Sequence, residues 1–240
     1  MAWGMFFAIP CPLKIWDEKL RGSMLLCLPL IGALTGALWL LLYKLLTLAG
    51  CPVTVTAALM TLLPGLLTGN IHTDGFMDCC DAILSRRGPE ERARILKDSH
   101  VGSFAVIAYV GLLLLEFSLF ASGALGAKAV CLVFLPIASR LCSVLTICRC
   151  EAMPGSSYAG AFRELLRPSY GHLSFCLLLL CCALPPLFFG AAGLSAAATA
   201  AGSLLAIWNG RRQLGGMSGD ISGFGIVCGE ACGVALLTLI

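Results

Sequence analysis

The sequence predicts an all-α membrane protein, a polytopic bundle of about seven transmembrane helices with a cytoplasmic N-terminus. Of its 240 residues, 59% are hydrophobic and 12% are charged, whereas soluble domains have about 45–50% apolar and about 25% charged residues. The mean hydropathy is +0.93. The apolar residues come in long runs rather than in periodic stripes, which is typical of helices that face lipid. These observations exclude a soluble globular protein and predict a lipid bilayer around the chain.

Seven stretches are long and apolar enough to be candidate spans, for which about 20 residues are needed. They are 24–46, 52–69, 103–126, 129–148, 172–192, 194–210 and 223–240. Only Gly193 separates the fifth from the sixth, which predicts a tight hairpin. Residues 1–10 are apolar but lack Lys and Arg, so we interpret them as an interfacial segment rather than a signal peptide. With no internal repeat in view, residues 1–240 are interpreted as one integral-membrane domain.

Basic residues predict the orientation, because short cytoplasmic loops are rich in Lys and Arg. If the N-terminus is cytoplasmic, the segments on that side contain thirteen basic residues, and the outer side has only Lys44 and Lys128. Those segments are 1–23, 70–102, 149–171 and 211–222. The net charge of +3 then follows from topology, and no nucleic-acid partner is expected. We predict a multi-pass protein of the cell (inner) membrane with its polar loops in the cytoplasm.

An acidic stripe marks the longest polar segment. Asp74, Asp78 and Asp81 have i, i+4, i+7 spacing, which places them on one face of a helix that Asn70 and Ser85 extend. Three carboxylates on one face repel each other, and a divalent cation removes that repulsion. Oxygen ligands without a thiolate or imidazole cluster suit Mg²⁺ or Mn²⁺. The alternative is a solvated acidic helix face beside an arginine-rich loop.

Other polar residues flank this stripe. If the helix is continuous, His72 lies on the side opposite the stripe. Three roles stay open for it: a group that supports the metal ligands, a proton carrier, or a residue at the membrane interface. Gly88-Pro89 predicts a helix stop, followed by a new helix from Glu90 to Ser99 that brings Lys97 and Asp98 to the membrane face.

A second polar segment, 209–223, is rich in glycine. Gly215, Gly216 and Gly219 allow backbone N–H groups to approach an oxyanion closely. Arg211 and Arg212 are candidates for binding phosphate oxygens. Asp220 is a candidate for a further metal ligand.

Three ionisable residues lie within predicted spans, where such residues face the protein interior or a site. Arg140 has two interpretations: it reaches a phosphate at the inner end of its helix, or it extends towards the interface. Glu230 follows the Asp220 segment closely, and Glu116 is expected to pair with a neighbour. Most of the fourteen cysteines lie in apolar runs and lack the spacing of zinc sites, so we interpret them as small hydrophobic residues.

Four blocks of the sequence resemble those of the cobalamin synthases, the adenosylcobinamide-GDP ribazoletransferases. The blocks are Ile9-Pro-Cys-Pro12 with Leu28-Pro-Leu-Ile-Gly32 and Gly36; Gly69-Asn-Ile-His-Thr-Asp-Gly-Phe-Met-Asp-Cys-Cys-Asp81; Leu96-Lys-Asp-Ser-His-Val-Gly-Ser-Phe104; and Leu214-Gly-Gly-Met-Ser-Gly-Asp220. The second is similar to the family pattern G-x-x-H-x-D-G-x-x-D-x-x-D. The likeness covers essentially the whole chain. Ala82 stands where the family often has Gly, and His100 where it often has Arg.

The resemblance implies a reaction, in which adenosylcobinamide-GDP and α-ribazole, or its 5′-phosphate, yield adenosylcobalamin, or its 5′-phosphate, and GMP. It also implies dependence on Mg²⁺. In that reading Asp74, Asp78, Asp81 and Asp220 bind the metal. Lys97, Arg211 and Arg212 neutralise phosphate charge, with Arg140 a further candidate, and Asp98 or His72 accepts the proton. The sequence leaves the oligomeric state open, a homo-oligomer included.

Two rival functions remain as alternatives. Membrane phosphotransferases of the CDP-alcohol class also place aspartates on helices, but with a D-x-x-D-G-x-x-A-R pattern, and here Asp74-Gly75 occurs without the Ala-Arg. A cation-coupled transporter would place its acidic site near the bilayer midplane, often between inverted repeats.

Overall fold

The structure is a computed structural model that describes residues 1–11, 13, 16–17, 20–122, 125–154, 156 and 166–240. Within these ranges the chain is helical apart from loops and one isolated β-bridge between Ala152 and Met217. The predicted all-α class is therefore confirmed. All fourteen cysteines are free thiols, as expected. Lys14, Lys19 and Arg163, which count towards the predicted orientation, lie outside the described residues.

Eleven α-helices are found in the described part of the chain. They are α1 (Ala2–Phe6), α2 (Arg21–Met24), α3 (Leu28–Leu48), α4 (Val53–Leu67), α5 (Ile71–Leu84), α6 (Pro89–Ile95), α7 (Ser103–Ala121), α8 (Phe134–Arg149), α9 (Pro168–Phe189), α10 (Ser195–Leu214) and α11 (Gly219–Leu239). Short 3₁₀ segments precede α3, α8 and α10, at Leu25–Cys27, Gly126–Val133 and Gly190–Leu194.

Five helical segments of the described chain are long and apolar enough to cross a membrane, and six if α4 and α5 form one broken span. The five are Arg21–Leu48, Ser103–Ala121, Gly126–Arg149, Pro168–Leu214 and Gly219–Leu239. The polytopic membrane bundle is thereby confirmed. The count of about seven spans and the cytoplasmic N-terminus stay predictions.

The segment Pro168–Leu214 folds back on itself. Gly190, at the end of α9, has a φ of +58°, a backbone conformation that glycine adopts at little cost. The sulfur of Cys182 lies 3.9 Å from the carbonyl oxygen of Ala196, 14 residues further along. In a straight helix those residues would be about 21 Å apart. The predicted hairpin is confirmed, with its turn at Gly190–Leu194.

The chain bends sharply between α4 and α5. The two helices meet at 94°, because Gly69 and Asn70 have left-handed φ values of 62° and 59°. The predicted span 52–69 is therefore a helix of 15 residues, which is too short to cross a bilayer alone. The prediction that Asn70 extends the acidic helix face is wrong, since its backbone places it before α5.

A close crossing of α5 and α11 sets the position of the polar residues. A Cβ on Gly75 would lie 2.8 Å from the Cα of Asp220, and one on Gly223 would lie 2.8 Å from the carbonyl oxygen of His72. The two helices approach so closely because neither residue has a side chain. The crossing holds the first turn of α11 against the first turns of α5.

Candidate active site

Four aspartates gather where α5 crosses α11. Asp74, Asp78 and Asp81 follow each other along α5, and Asp220 lies in the first turn of α11. The carboxylate of Asp78 interacts electrostatically with those of the other three, and that of Asp220 with that of Asp74. The stripe thus supplies three aspartates of a larger acidic cluster, and the crossing supplies the fourth, Asp220.

A cavity of about 310 Å³ opens beside this cluster. Five residues singled out in the sequence line it: His72, Asp74, Lys97, Gly219 and Asp220. The sequence analysis missed the others, which are Met5, Phe6, Leu28, Ile71, Leu96, Met153, Ser156, Ser218 and Ser222. Negative and positive side chains therefore meet at one concave surface.

Ser218 is a missed residue that carried a sequence signal. It is the N-cap of α11: its hydroxyl accepts a hydrogen bond from the backbone N–H of Ile221 at 3.2 Å and donates one to Asp220 at 3.3 Å. A serine directly before an apolar helix is a typical N-cap. The ring of Phe6 stacks on that of His72, with 6.5 Å between the ring centroids. No local sequence pattern indicates this contact, because the two residues are 66 positions apart.

Asp78 and Asp81 lie further along α5 and are half-buried. A Cβ on Gly102 would overlap both carboxylate oxygens of Asp81. The third sequence block, which contains Gly102, therefore packs directly on the second.

Lys97 and Asp98 do not belong to a helix that runs from Glu90 to Ser99, as predicted; α6 ends at Ile95 and both residues follow it. Asp98 Oδ1 accepts a hydrogen bond from the backbone N–H of His100 at 3.0 Å and lies 2.7 Å from its Nδ1. The hydrogen bond from the His100 side chain lowers the pKa of Asp98 below its usual value. Lys97 faces the cavity, whereas Asp98 is not among its described lining residues.

The glycine-rich segment divides between two sites. Gly219 lines the cavity, whereas Arg211, Arg212, Gly215 and Gly216 line a separate depression of about 340 Å³. Glu151 and Trp208 complete this depression, and the Arg212 guanidinium lies 4.8 Å from the centroid of the Trp208 ring. The backbone N–H of Met217 donates to the carbonyl of Glu151 at 2.8 Å, and that of Met153 donates to Met217 at 2.9 Å. These bonds hold the turn in place between the two sites.

Arg140 lies in the bundle interior and pairs with Glu230. Ser139 donates a hydrogen bond to Glu230 at 2.8 Å and accepts one from Arg140 at 3.0 Å. The sequence analysis expected Arg140 to reach a phosphate or to extend towards the membrane interface. Neither is correct, because the side chain lies inside the protein and is not among the described lining residues of the cavity.

A small polar chamber of about 50 Å³ lies beside that ion pair. Thr61 Oγ1, His72 Nε2 and Arg140 Nε all belong to residues that line it, and they have no hydrogen-bond partner among the described residues. Glu116 also lines the chamber and interacts electrostatically with Glu230. His72 borders both the chamber and the larger cavity.

The donor set of the cluster fits a magnesium ion. The described residues contain no group of three or more His, Cys, Asp or Glu side chains arranged to hold a metal ion by themselves. Mg²⁺ is usually bound by one or two carboxylates together with substrate phosphates and water, rather than by an all-protein cage. Asp74 and Asp220, the two carboxylates that line the cavity, offer donors of that kind and number.

Comparisons with known proteins show the family of this chain. The family model of cobalamin-5-phosphate synthase matches residues 1–238. A Clostridium perfringens protein named adenosylcobinamide-GDP ribazoletransferase is 37% identical, covering 100% of this chain and 96% of its own. Proteins of the same name from Clostridium botulinum and Desulfitobacterium hafniense are 35% and 37% identical, covering 98% and 92% of this chain and 94% and 88% of their own. No solved structure matches. The chain therefore belongs to the cobalamin-5-phosphate synthase family.

Proposed function

We propose that this protein joins adenosylcobinamide-GDP to α-ribazole, or to α-ribazole 5′-phosphate, and yields adenosylcobalamin, or its 5′-phosphate, together with GMP. The observation that carries the proposal is the convergence of Asp74, Asp220 and Lys97 on one cavity in a chain of this family. The names of the relatives supply the substrates.

The reaction is a phosphoryl transfer. A free hydroxyl of the ribose, other than the 5′ position that can carry a phosphate, loses its proton and forms a bond to the phosphorus that carries the corrinoid. The bond from that phosphorus to the bridging oxygen breaks, and GMP leaves with that oxygen. Such reactions depend mostly on positioning and on stabilising the charge of the phosphate oxygens. Lys97 supplies a positive charge at the cavity. Gly219 begins the 21-residue helix α11, and a helix N-terminus favours phosphate.

Asp74 and Asp220 are the proposed ligands for Mg²⁺ at the cavity, with Asp78 and Asp81 completing the acidic cluster. When bound, the metal ion supplies neutralisation of the pyrophosphate charge. Arg211, Arg212, Gly215 and Gly216 border a separate depression and are proposed to bind phosphate oxygens there. Arg140 is proposed to be a positioning residue. It pairs with Glu230 in the bundle interior and so holds α11, the helix that carries Asp220.

His72 is the better of the two proton acceptors. It lines the cavity together with Asp74, Lys97 and Asp220. Asp98 is exposed and is not among the described lining residues of the cavity. We infer that these residues face the cytoplasm, because the basic loops lie on that side in the predicted topology.

The metal site is tested with purified protein in lipid vesicles. We expect product with Mg²⁺ and none with a chelator. Asp74→Asn and Asp220→Asn should each lower kcat/KM at least about 100-fold, because even groups that only support metal ligands cost about 10–100-fold when lost. The matched control is Glu90→Gln, an exposed acid in the first turn of α6, which should leave the activity unchanged.

Two results would contradict the proposal. Unchanged activity and Mg²⁺ dependence in both aspartate variants would move the metal site elsewhere. If folded wild-type protein gave no cobalamin product but transferred a phosphoalcohol from a CDP-alcohol, the CDP-alcohol class would replace the proposed function.

A further inference from the structure

The cavity is too small for the whole corrinoid substrate. Its 310 Å³ lies at the lower end of the range of about 300–1,000 Å³ for pockets that enclose drug-sized ligands. A corrin macrocycle with its adenosyl group and nucleotide is larger than such a ligand. With the pyrophosphate at Asp74, Asp220 and Lys97, the macrocycle must lie on a surface that continues outward from the cavity.

One such surface runs over the N-terminal segment. The cavity shares Met5, Ile71 and Asp74 with an open depression of about 590 Å³. That depression shares Gly4, Phe7 and Ala8 with a third one of about 380 Å³. Because neighbouring depressions share lining residues, we treat the three as one surface and call it the N-terminal groove.

The polarity of the N-terminal groove changes along its length. The inner end has Asp74, Asp220 and Lys97. The outer end has, among the described residues, apolar side chains and one cysteine: Met1, Phe7, Ala8, Ile9, Pro10, Cys11, Leu13 and Trp16. A ligand with an anionic pyrophosphate at one end and a broad, amphipathic ring system at the other can follow this order, and adenosylcobinamide-GDP is such a ligand.

The groove is held in place by contacts to the rest of the site. The backbone N–H of Ala8 donates to the carbonyl of Leu67, at the end of α4, at 2.7 Å. The indole N–H of Trp3 donates to the carbonyl of Ile9 at 2.7 Å, and the rings of Trp3 and Phe7 meet edge to face at 5.1 Å. Since Phe6 also stacks on His72, the segment forms a wall of the catalytic cavity as well as a platform beside it.

We propose that the N-terminal groove is the corrinoid subsite: the macrocycle lies over Phe7 and Ala8 towards Trp16, with its pyrophosphate in the Asp74–Asp220–Lys97 cavity. The assignment rests on the proposed function. It gives the apolar N-terminal segment a role in orienting the substrate in addition to contact with the membrane.

Gly4 offers a direct test. It lines both outer depressions, and a Cβ built on it meets nothing within 4 Å. Gly4→Leu therefore fills the groove without a clash inside the protein. Gly111 in α7 is the matched control, because a Cβ there also meets nothing within 4 Å and the residue is exposed on a predicted span.

The experiment uses the full chain in vesicles, with two readouts. The first is KM for each substrate. The second is equilibrium dialysis of adenosylcobinamide without its GDP, followed by corrin absorbance, which needs no turnover. We expect Gly4→Leu to weaken corrinoid binding and raise KM for adenosylcobinamide-GDP by about tenfold or more, since a single methylene in an apolar pocket already changes discrimination by about 10–200-fold. In Gly4→Leu, KM for α-ribazole should match that of the wild type. In Gly111→Leu, corrinoid binding and KM for both substrates should match those of the wild type.

The failure of this proposal is distinct from that of the proposed function. No product from folded wild type would overturn the function. Wild-type product together with unchanged corrinoid binding and KM in Gly4→Leu would overturn the subsite alone. A change in vesicle flotation with KM unchanged would likewise overturn it, and would assign the groove to lipid.

Discussion

At the scale of single residues, Arg140 shows how a charge is accommodated in an apolar bundle. Its side chain is 1% exposed, and that of its partner Glu230 is 9% exposed. A buried charge is tolerated only when it is paired and hydrogen-bonded, and Ser139 adds a hydrogen bond to each member. The pair joins α8 to α11, the helix that carries Asp220. It therefore helps to fix the position of α11 in the bundle.

Removing one member of this pair should lower the stability of the protein more than removing both. We expect Arg140→Gln or Glu230→Gln to destabilise the protein by about 3–5 kcal/mol, because each leaves an uncompensated buried charge. The double variant should recover part of that loss. Thermal unfolding in detergent measures all four proteins of the cycle, and strictly additive losses would show that the two charges do not interact.

At the scale of elements, the site depends on the crossing of α5 and α11. Asp74 and Asp220 come from helices about 146 residues apart in sequence, and they meet because Gly75 and Gly223 allow the backbones to approach. The bend before α5, at Gly69 and Asn70, lets α5 pack inside the bundle rather than continue α4. The acidic face of α5 therefore lies against another helix instead of facing solvent only.

Gly75→Ala tests the crossing. The new Cβ would lie 2.8 Å from the Cα of Asp220, which is backbone and cannot rotate away. We expect a loss of about 1–3 kcal/mol, as for overpacking elsewhere, and a higher Mg²⁺ concentration for half-maximal activity. Gly111→Ala, in open space on α7, should be neutral or stabilising by about 0.5–1 kcal/mol. Equal Mg²⁺ requirements in the two variants would argue against the crossing as the element that aligns the carboxylates.

At the scale of the whole molecule, the polar features lie in the segments between apolar helices. The acidic cluster, Lys97 and the glycine-rich turn all fall in segments that the count of basic residues predicts to be cytoplasmic. The N-terminal segment joins them through Phe6 and His72. The bundle therefore acts as a scaffold that brings segments distant in the sequence together around one cavity.

The predicted sidedness can be measured directly. A specific protease site inserted at Gly88 should be cut in inverted membrane vesicles and protected in intact spheroplasts, because the flanking Arg86 and Arg87 favour the cytoplasm. The same site inserted before Gly126, near Lys128, should show the opposite pattern. Cleavage of both sites from the same side would contradict the topology.

The sequence alone determined the class of protein and three of the four aspartates in the acidic cluster. Composition and run length are properties of the whole chain, so they identify a membrane helix bundle without any contact being known. The i, i+4, i+7 spacing of Asp74, Asp78 and Asp81 is local, and the helical period places them on one face. The sequence named Asp220 as a candidate ligand, but only the tertiary structure decided that it lies beside the stripe, that Arg140 pairs with Glu230 and that Phe6 stacks on His72. These contacts join residues that are far apart in sequence, and they depend on helix crossings and on the left-handed backbone at Asn70, which a local pattern does not encode.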